Sequence, residues 1–241
     1  MIGLGTIVNV LAIIVGGLSG VVFGRFLRER HQETLCRTCG ICVLFLGISG
    51  AMEGMLSIEG TSVVSGKSMI VIASLAIGAL IGELLNMELW FEQFGEWLKE
   101  KSGNSKDKLF VEGFVTATLT VCIGAMAIVG AIQDGIFGDP SILLAKAVLD
   151  FIIVMVMTCS MGKGCIFSAI PVALFQGSVT LLARLIKPIM TEAALANLSL
   201  IGSILIFCVG INLIWKKQIR VANLLPAIVI AVVIAFLPIG I

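Results

Sequence analysis

The sequence predicts an all-α protein that crosses a membrane several times. Hydrophobic residues make up 59% of its 241 residues and charged residues only 13%, and the mean hydropathy is +1.13. Several apolar stretches reach the roughly 18 residues that suffice for a membrane-spanning helix, and a soluble core cannot absorb so many of them. A net charge of +1 provides no basic surface for nucleic acid. The lipid bilayer is therefore the expected partner of nearly the whole chain.

Eight apolar segments are predicted to cross the membrane, with seven as the alternative if the sixth is merged or divided differently. They cover residues 4–24, 39–56, 68–85, 114–132, 142–157, 165–183, 194–214 and 223–241. The first segment lacks a basic leader and exceeds signal-peptide length, so we expect it to be retained. Gly135 is predicted to end the fourth helix and Asp139 to cap the fifth, with Pro140 in its first turn. Pro171 is expected to break the sixth helix.

Residues 83–101 differ from the rest and predict an amphipathic helix that lies on the membrane surface. Its glutamates recur every four residues and form one acidic stripe, while its tryptophans suit the level of the lipid headgroups. The glutamates are Glu88, Glu92, Glu96 and Glu100. The polar loop at residues 102–108 is the expected boundary between an N-terminal half, residues 1–101, and a C-terminal half, residues 109–241, of a single membrane domain.

The distribution of basic residues predicts that the N-terminus lies outside. In this orientation twelve of the 16 lysine and arginine residues lie on the inner side and three outside, as the positive-inside rule requires. The last of the 16, Lys146, lies within a helix. Lys216, Lys217 and Arg220 are predicted to form a basic inner loop.

Two apolar stretches resemble each other and indicate an internal repeat. Gly40-Ile-Cys-Val-Leu-Phe-Leu-Gly-Ile is similar to Gly202-Ser-Ile-Leu-Ile-Phe-Cys-Val-Gly-Ile with one gap. If the first three helices correspond to the last three, the two sets run in opposite directions, as in inverted-repeat transporters. Chance similarity between apolar helices is the alternative. Glycine-rich faces on the first and third helices favour a homo-oligomer, or else pack the monomer.

Lys146 and Asp150 are the most informative polar residues, because they lie four apart on one face of the fifth helix. A rise of about 1.5 Å per residue places Asp150 roughly 16 Å from its helix start, close to the bilayer midplane. Charges at this depth are costly and indicate a functional site by default. We expect Asp150 to bear the charge of a path for a solute, an ion or protons, with Lys146 as its counter-charge. A structural ion pair is the alternative, although desolvation offsets its attraction.

Further polar side chains extend the expected path, and each has a structural alternative. Four amides either contribute to the path or form interhelical hydrogen bonds, which are typically worth about 0.6 kcal/mol. The amides are Asn9, Gln176, Asn212 and Asn223. Asn9 is the most prominent, since its glycine-rich surroundings suit broken helical backbone near a site. Gln133, Asp134 and Asp139 are expected at the outer mouth, either as a vestibule for cations or as turn and cap residues.

The cysteines and histidine do not predict a metal site. Cys36-x-x-Cys39-x-x-Cys42 with His31 upstream has enough ligands for a tetrahedral site. However, the same spacing describes one face of a helix, and no second cysteine pair supports a cluster. An odd total of seven cysteines does not fit a disulfide framework. Phosphate loops, serine–histidine–aspartate sets and HExxH are also absent from the sequence, so we expect no metal, no cofactor and no enzymatic activity.

Five sequence blocks carry a resemblance to a known family. They are Gly3-x-Gly5-Thr6-x-x-Asn9-x-x-Ala12-Ile-x-x-Gly16-Gly17, Cys122-Ile-Gly-Ala-Met-Ala-Ile-Val-Gly-Ala-Ile-Gln-Asp-Gly135, Gly138-Asp139, Lys146-Ala-Val-Leu-Asp150 and Arg220-Val-Ala-Asn223-Leu-Leu-Pro226. In these blocks the chain resembles the bacterial membrane family typified by YqgA and YdfK, a domain of unknown function. The resemblance implies a small multi-pass protein of the bacterial inner membrane, often described as a candidate transporter, with a suggested link to biofilm formation.

Together, these features predict an inner-membrane transporter or channel for a small solute or ion. Because the sequence contains no ATP-binding motif, transport is expected to be passive or coupled to an ion gradient. The alternative is a membrane scaffold or signalling protein that binds a partner protein through the amphipathic helix at residues 83–101.

Overall fold

The structure is a computed structural model that describes residues 2–215 and 218–237. Its α-helices are α1 (Leu4–Gly24), α2 (Glu29–Met55), α3 (Ser68–Leu85), α4 (Met87–Lys101), α5 (Phe110–Cys122), α6 (Ala125–Phe137), α7 (Ser141–Met161), α8 (Ala169–Leu181), α9 (Ala183–Ile186), α10 (Glu192–Trp215) and α11 (Pro226–Ile234). Two 3-10 helices, Lys163–Ser168 and Val221–Leu224, precede α8 and α11. An antiparallel hairpin of β1 (Leu56–Glu59) and β2 (Ser62–Ser65) joins α2 to α3.

The predicted all-α, polytopic membrane fold is confirmed. Within the described residues, six helical stretches are long and apolar enough to cross a membrane, and the bent pair α5–α6 makes a seventh if it is one span. α11 is too short for this criterion, and the predicted eighth helix extends into residues 238–241, outside the described part. The predicted basic loop is only partly described, because Lys216 and Lys217 also lie outside it.

The predicted start of the second helix was wrong. α2 begins at Glu29 rather than at residue 39, because its first turns are polar and exposed and hydropathy alone does not detect them. An ion pair between Arg37 and Glu33, one turn apart, lies in this extension at 2.7 Å. The link between α2 and α3 is the β-hairpin, which Gly60 closes with a positive φ of 64°.

The predicted surface helix is divided from α3 by a sharp turn. Asn86 adopts a left-handed conformation with φ 49°, so α4 begins at Met87 and not at residue 83. Its acidic stripe is also divided. Glu88 is buried and Glu92 half-buried, whereas Glu96 and Glu100 are exposed. The stripe therefore lies partly against the protein instead of wholly in water.

The segment from α5 to the start of α7 differs most from its prediction. The expected straight helix over residues 114–132 is broken at Ile123 and Gly124, and α5 and α6 meet at 60°. Gly124 has φ 151°, a conformation that other residues rarely adopt. α6 ends at Phe137 and is followed by Gly138 in a left-handed conformation with φ 66°, whereas Gly135 lies inside the helix. Pro171 does not break α8, because it lies in the first turn, where no N–H bond is lost.

Close contacts at glycines show which neighbouring helices are parallel and which are antiparallel. A Cβ on Gly16 of α1 would lie 2.5 Å from the backbone oxygen of Phe151 in α7, and Gly20 approaches Met155 in the same way. The two helices are therefore parallel. Gly47 and Gly54 of α2 similarly contact Phe207 and Leu200 of α10, which makes those helices antiparallel.

The close contacts at glycines are also relevant to two predictions, the homo-oligomer and the inverted repeat. Gly78 and Gly82 of α3 pack against Ala227 and Asn223, so the glycine faces of α1 and α3 are covered within the chain. A homo-oligomer stays a prediction. α1, α2 and α3 contact α8, α10 and α11 respectively, each in antiparallel directions, so helices of the two predicted halves pack against each other. The inverted repeat itself stays a prediction.

Candidate membrane-embedded polar site

Lys146 and Asp150 form a buried ion pair in the middle of α7. The Lys146 Nζ lies 2.6 Å from Asp150 Oδ2, and the two residues are only 7% and 3% exposed. Their side chains face the interior of the helical bundle, since their hydrogen-bonding partners come from α1 and α5, and α8 is joined to them through Asn9. Sequence spacing predicted the pairing correctly, and the structure adds the groups around it.

The break between α5 and α6 supplies a second acceptor for Lys146. Its Nζ donates to the backbone oxygen of Val121 at 2.8 Å, in the last turn of α5. Carbonyls at a helix C-terminus lack intrahelical partners and carry partial negative charge. They therefore favour a positive group. The sequence did not predict this contact, although Gly124, a glycine inside an apolar run, is a signal for a break at this position.

Two predicted amides complete the cluster from α1 and α8. Asn9 Nδ2 donates to Asp150 Oδ2 at 3.0 Å and to Gln176 Oε1 at 3.2 Å. Both amide side chains are almost wholly buried. We call Asn9, Lys146, Asp150 and Gln176 the central cluster. The structure therefore brings together Lys146 and Asp150 and two of the four predicted amides.

The central cluster has spare hydrogen-bonding capacity. Asn9 Oδ1 and Gln176 Nε2 are buried and have no partner among the described residues. Most buried polar atoms in proteins are hydrogen-bonded, and an unsatisfied one costs about 1–3 kcal/mol. The cluster thus offers one acceptor and one donor to a small polar ligand at membrane depth.

Asp134 lies inside the protein rather than at an outer vestibule. Its side chain is fully buried, and Oδ2 accepts a hydrogen bond from the Gly5 N–H at 3.0 Å. This N–H belongs to the first turn of α1, where backbone donors need external partners and the helix dipole favours an anion. Since Gly5 and Asn9 are one turn apart, α1 holds both Asp134 and Asp150.

Gln133 and Asp139 remain at the turn between α6 and α7, apart from the central cluster. Asp139 accepts hydrogen bonds from the Ser141 hydroxyl and backbone N–H and from Gln133. These bonds hold the pKa of the Asp139 carboxyl below its usual value. The geometry of these bonds fits the alternative prediction, in which Gln133 and Asp139 are turn and cap residues.

Asn212 and Asn223 lie at helix ends, away from the central cluster. Asn212 Oδ1 accepts from the backbone N–H groups of Gln218 and Ile219, both at 2.9 Å. Asn223 Oδ1 accepts from the Glu88 N–H at 2.7 Å, and its Nδ2 donates to Glu83 at 2.6 Å. The structure gives both amides a role in fixing the ends of α10, α4 and α11.

An acidic cavity of about 390 Å³ lies between α4, α5 and α10, on the predicted inner side. Its acidic lining residues are Glu88, Glu92 and Glu112. Leu119, which also lines it, is two residues before Val121 on α5. The sequence did not predict this cavity, because nothing in the residues around Glu112 indicates that it faces the acidic stripe of α4.

Comparison with known proteins gives a family match over nearly the whole chain. Residues 4–236 match the family described as "Protein of unknown function (DUF554)". The chain is 30% identical over 232 residues to "Uncharacterized membrane protein YdfK" of Bacillus subtilis (strain 168), covering 96% of this chain and 95% of the relative. It is 29% identical over 232 residues to "Uncharacterized protein YqgA" of Escherichia coli (strain K12), covering 95% and 94%. No solved structure gives a significant match.

Proposed function

The chain belongs to the DUF554 family, and we propose that it is an inner-membrane transporter or channel for a small solute or ion. The observation that carries this proposal is the buried Lys146–Asp150 pair, which is hydrogen-bonded to α1 and α5 and, through Asn9, to α8. Polar networks of this kind inside a membrane bundle typically mark substrate, ion or proton pathways. Asp150 would bear the charge of the site, and Lys146 would balance it.

The broken helix beside the pair supports the same function. Irregular backbone at membrane depth is tolerated where it is buried in protein or lines a cavity. In transporters, the ends of such half-helices bind charged groups near the midplane. Here the end of α5 binds Lys146 through Val121. We expect transport to be passive or coupled to an ion gradient, with no chemical catalysis.

Flux into liposomes tests the proposal. The purified full chain is reconstituted and screened with gradients of protons, Na⁺, K⁺, halides and small organic anions. Wild type is compared with Asp150→Asn, and with Asp139→Asn as a control carboxylate at the turn before α7. The proposal predicts flux that falls at least tenfold in Asp150→Asn and persists in the control. Absence of flux from folded wild type under every gradient, or full flux in Asp150→Asn, would overturn it.

A membrane scaffold that acts through α4 is the second proposal. Trp90 and Trp97 of this helix are more than half exposed, and Glu96 and Glu100 also face outward. Apolar side chains of this kind suit either a headgroup layer or a partner protein. Reversing Glu96 and Glu100 to lysine should abolish a scaffold function while leaving ion flux intact, and Asp150→Asn should do the opposite.

A further inference from the structure

The Lys146 ammonium lies among oxygen atoms of the kind that bind metal cations. It contacts a carboxylate oxygen of Asp150 at 2.6 Å and the Val121 carbonyl oxygen at 2.8 Å. The unpartnered Asn9 Oδ1 belongs to an amide whose nitrogen is 3.0 Å from the same carboxylate oxygen. Carboxylate, carbonyl and amide oxygens are the ligands that hard cations prefer, including unwound backbone carbonyls at transporter sites.

The charge of the site restricts what can replace the ammonium. Asp150 contributes one negative charge and the end of α5 a partial one. Removing Lys146's positive charge without a substitute would leave Asp150 buried and uncompensated, which is strongly unfavourable. A replacement with one positive charge preserves the balance, whereas a divalent cation would leave an excess.

We propose that this is a binding site for a small monovalent metal cation, and that the Lys146 ammonium and the cation occupy it in turn. When the cation binds to Asp150 and the Val121 carbonyl, the ammonium gives one proton to water on the open side and remains as a neutral amine. When the cation leaves, the amine takes up a proton. The site keeps one positive charge throughout, so one cation exchanges for one proton. This mechanism rests on the proposed transport function and specifies its substrate class.

Few other titratable groups face the pair. α5 contributes the Cys122 thiol, which interacts electrostatically with both charges. α6 contributes Asp134, which is bound one turn away on α1. α1 and α8 present only the amides of Asn9 and Gln176. α2 contacts the far end of α7, where Cys36 meets Ser160. Cys122→Ser and Asp134→Asn are therefore the controls that assign a pH effect to Lys146.

Cation binding at several pH values tests the exchange. Sodium, potassium and lithium chloride are titrated calorimetrically into the detergent-purified full chain, against choline chloride at constant ionic strength. Because binding releases one proton, wild-type affinity for the bound cation should rise about tenfold per pH unit. Asp150→Asn should not bind, and the exposed-lysine control Lys187→Met should match wild type. Cys122→Ser and Asp134→Asn should keep the slope.

Two variants of Lys146 make the test decisive. Lys146→Met removes the competing ammonium, so its cation affinity should lose the pH dependence and exceed that of wild type at neutral pH. Lys146→Arg keeps a charge that does not dissociate, so it should fold and not bind the cation. Pure, monodisperse protein with a helical circular dichroism spectrum establishes folding for each.

The proposal fails if Lys146→Arg binds the cation with wild-type pH dependence, or if wild-type affinity does not change with pH. It also fails if the folded wild type binds none of the three cations. In each case, Asp150-dependent flux of another solute, such as an anion, would leave the transport function standing. Loss of the transport function itself would show as no flux of any solute.

Discussion

Two polar clusters in this molecule contain similar residue types and differ in what those residues bind. The central cluster pairs Lys146 with Asp150 and adds two amides. The inner cluster consists of Glu83, Glu88, Arg220 and Asn223 at the ends of α3, α4 and α11. Both contain an ion pair and an asparagine. They differ in depth, in exposure and in the partners of their polar atoms.

In the inner cluster, the side chains cap helices. Asn223 accepts from the Glu88 N–H, and the Glu88 carboxylate accepts from the Ala222 N–H at 3.1 Å. The Arg220–Glu83 ion pair is more than half exposed. Helix ends require such partners, so helix capping is enough to explain these residues. In the central cluster, side chains in the middle of helices bind each other and leave two atoms unpaired, which capping does not explain.

The largest expected effect comes from removing one charge of the central pair. Lys146→Leu should lower the free energy of unfolding by about 3–5 kcal/mol, because Asp150 then stays buried and unpaired. The double variant Lys146→Leu/Asp150→Leu should recover most of that loss, because its two leucines leave no buried charge. Denaturant unfolding in detergent, with choline as the only cation, measures both. Equal losses in the single and double variants would contradict the account.

The second-largest effect is expected at the close contact between Gly16 of α1 and Phe151 of α7, which brings α1 to the central cluster. Gly16→Ala places a Cβ 2.5 Å from the Phe151 backbone oxygen, so α1 must shift at a cost of about 1–3 kcal/mol. The shift should lengthen the contact between Asn9 and Asp150 and lower flux. Gly177→Ala in α8 is the matched control, because its Cβ would meet nothing within 4 Å. Thermal unfolding and flux should separate the two variants, and the account is wrong if they behave alike.

Asparagine substitutions compare the two clusters directly. Asn223→Ala removes the cap on α4 and should cost about 0.5–2 kcal/mol without changing flux per folded molecule. Asn9→Ala removes both a donor to Asp150 and the unpaired acceptor, and it should lower flux severalfold. Flux normalised to monodisperse protein measures the difference. Reduced flux in Asn223→Ala alone would assign the path to the inner cluster instead.

The smallest effect is expected at the exposed ion pair of the inner cluster. Arg220→Gln should change the free energy of unfolding by no more than about 1 kcal/mol, because water screens the pair with Glu83. Thermal unfolding at low and high salt measures it. A loss as large as that of Lys146→Leu would show that the two ion pairs are equivalent and remove the contrast between the clusters.

Local pattern was enough to predict part of this structure. The bounds of α1 and α3 follow from their apolar stretches, and the facing of Lys146 and Asp150 follows from helical periodicity. The amides Asn9 and Gln176 could be nominated by type and depth. Their contacts with each other and with Asp150 depend on which helices are neighbours. The local sequence of α1 or α8 does not show which helices are neighbours.

The remaining features depend on contacts between distant segments. The break at Gly124 lies inside an apolar run whose average hydropathy is unchanged by it. Asp134 looks like a turn residue in the sequence, yet it binds the start of α1, 129 residues away. Asn212 and Asn223 look like path residues because they lie in or beside apolar helices. Only the folded arrangement shows that each lies against a helix end.

The ratio of ion flux in Asp150→Asn to that in wild type shows whether the buried pair lies on the transport path. It is measured at equal reconstitution density, for the ion that wild type carries fastest, with Asp139→Asn alongside. We expect a ratio of one tenth or less for Asp150→Asn and a ratio near one for Asp139→Asn. A ratio near one for Asp150→Asn would show that the buried pair is structural and that the path lies elsewhere.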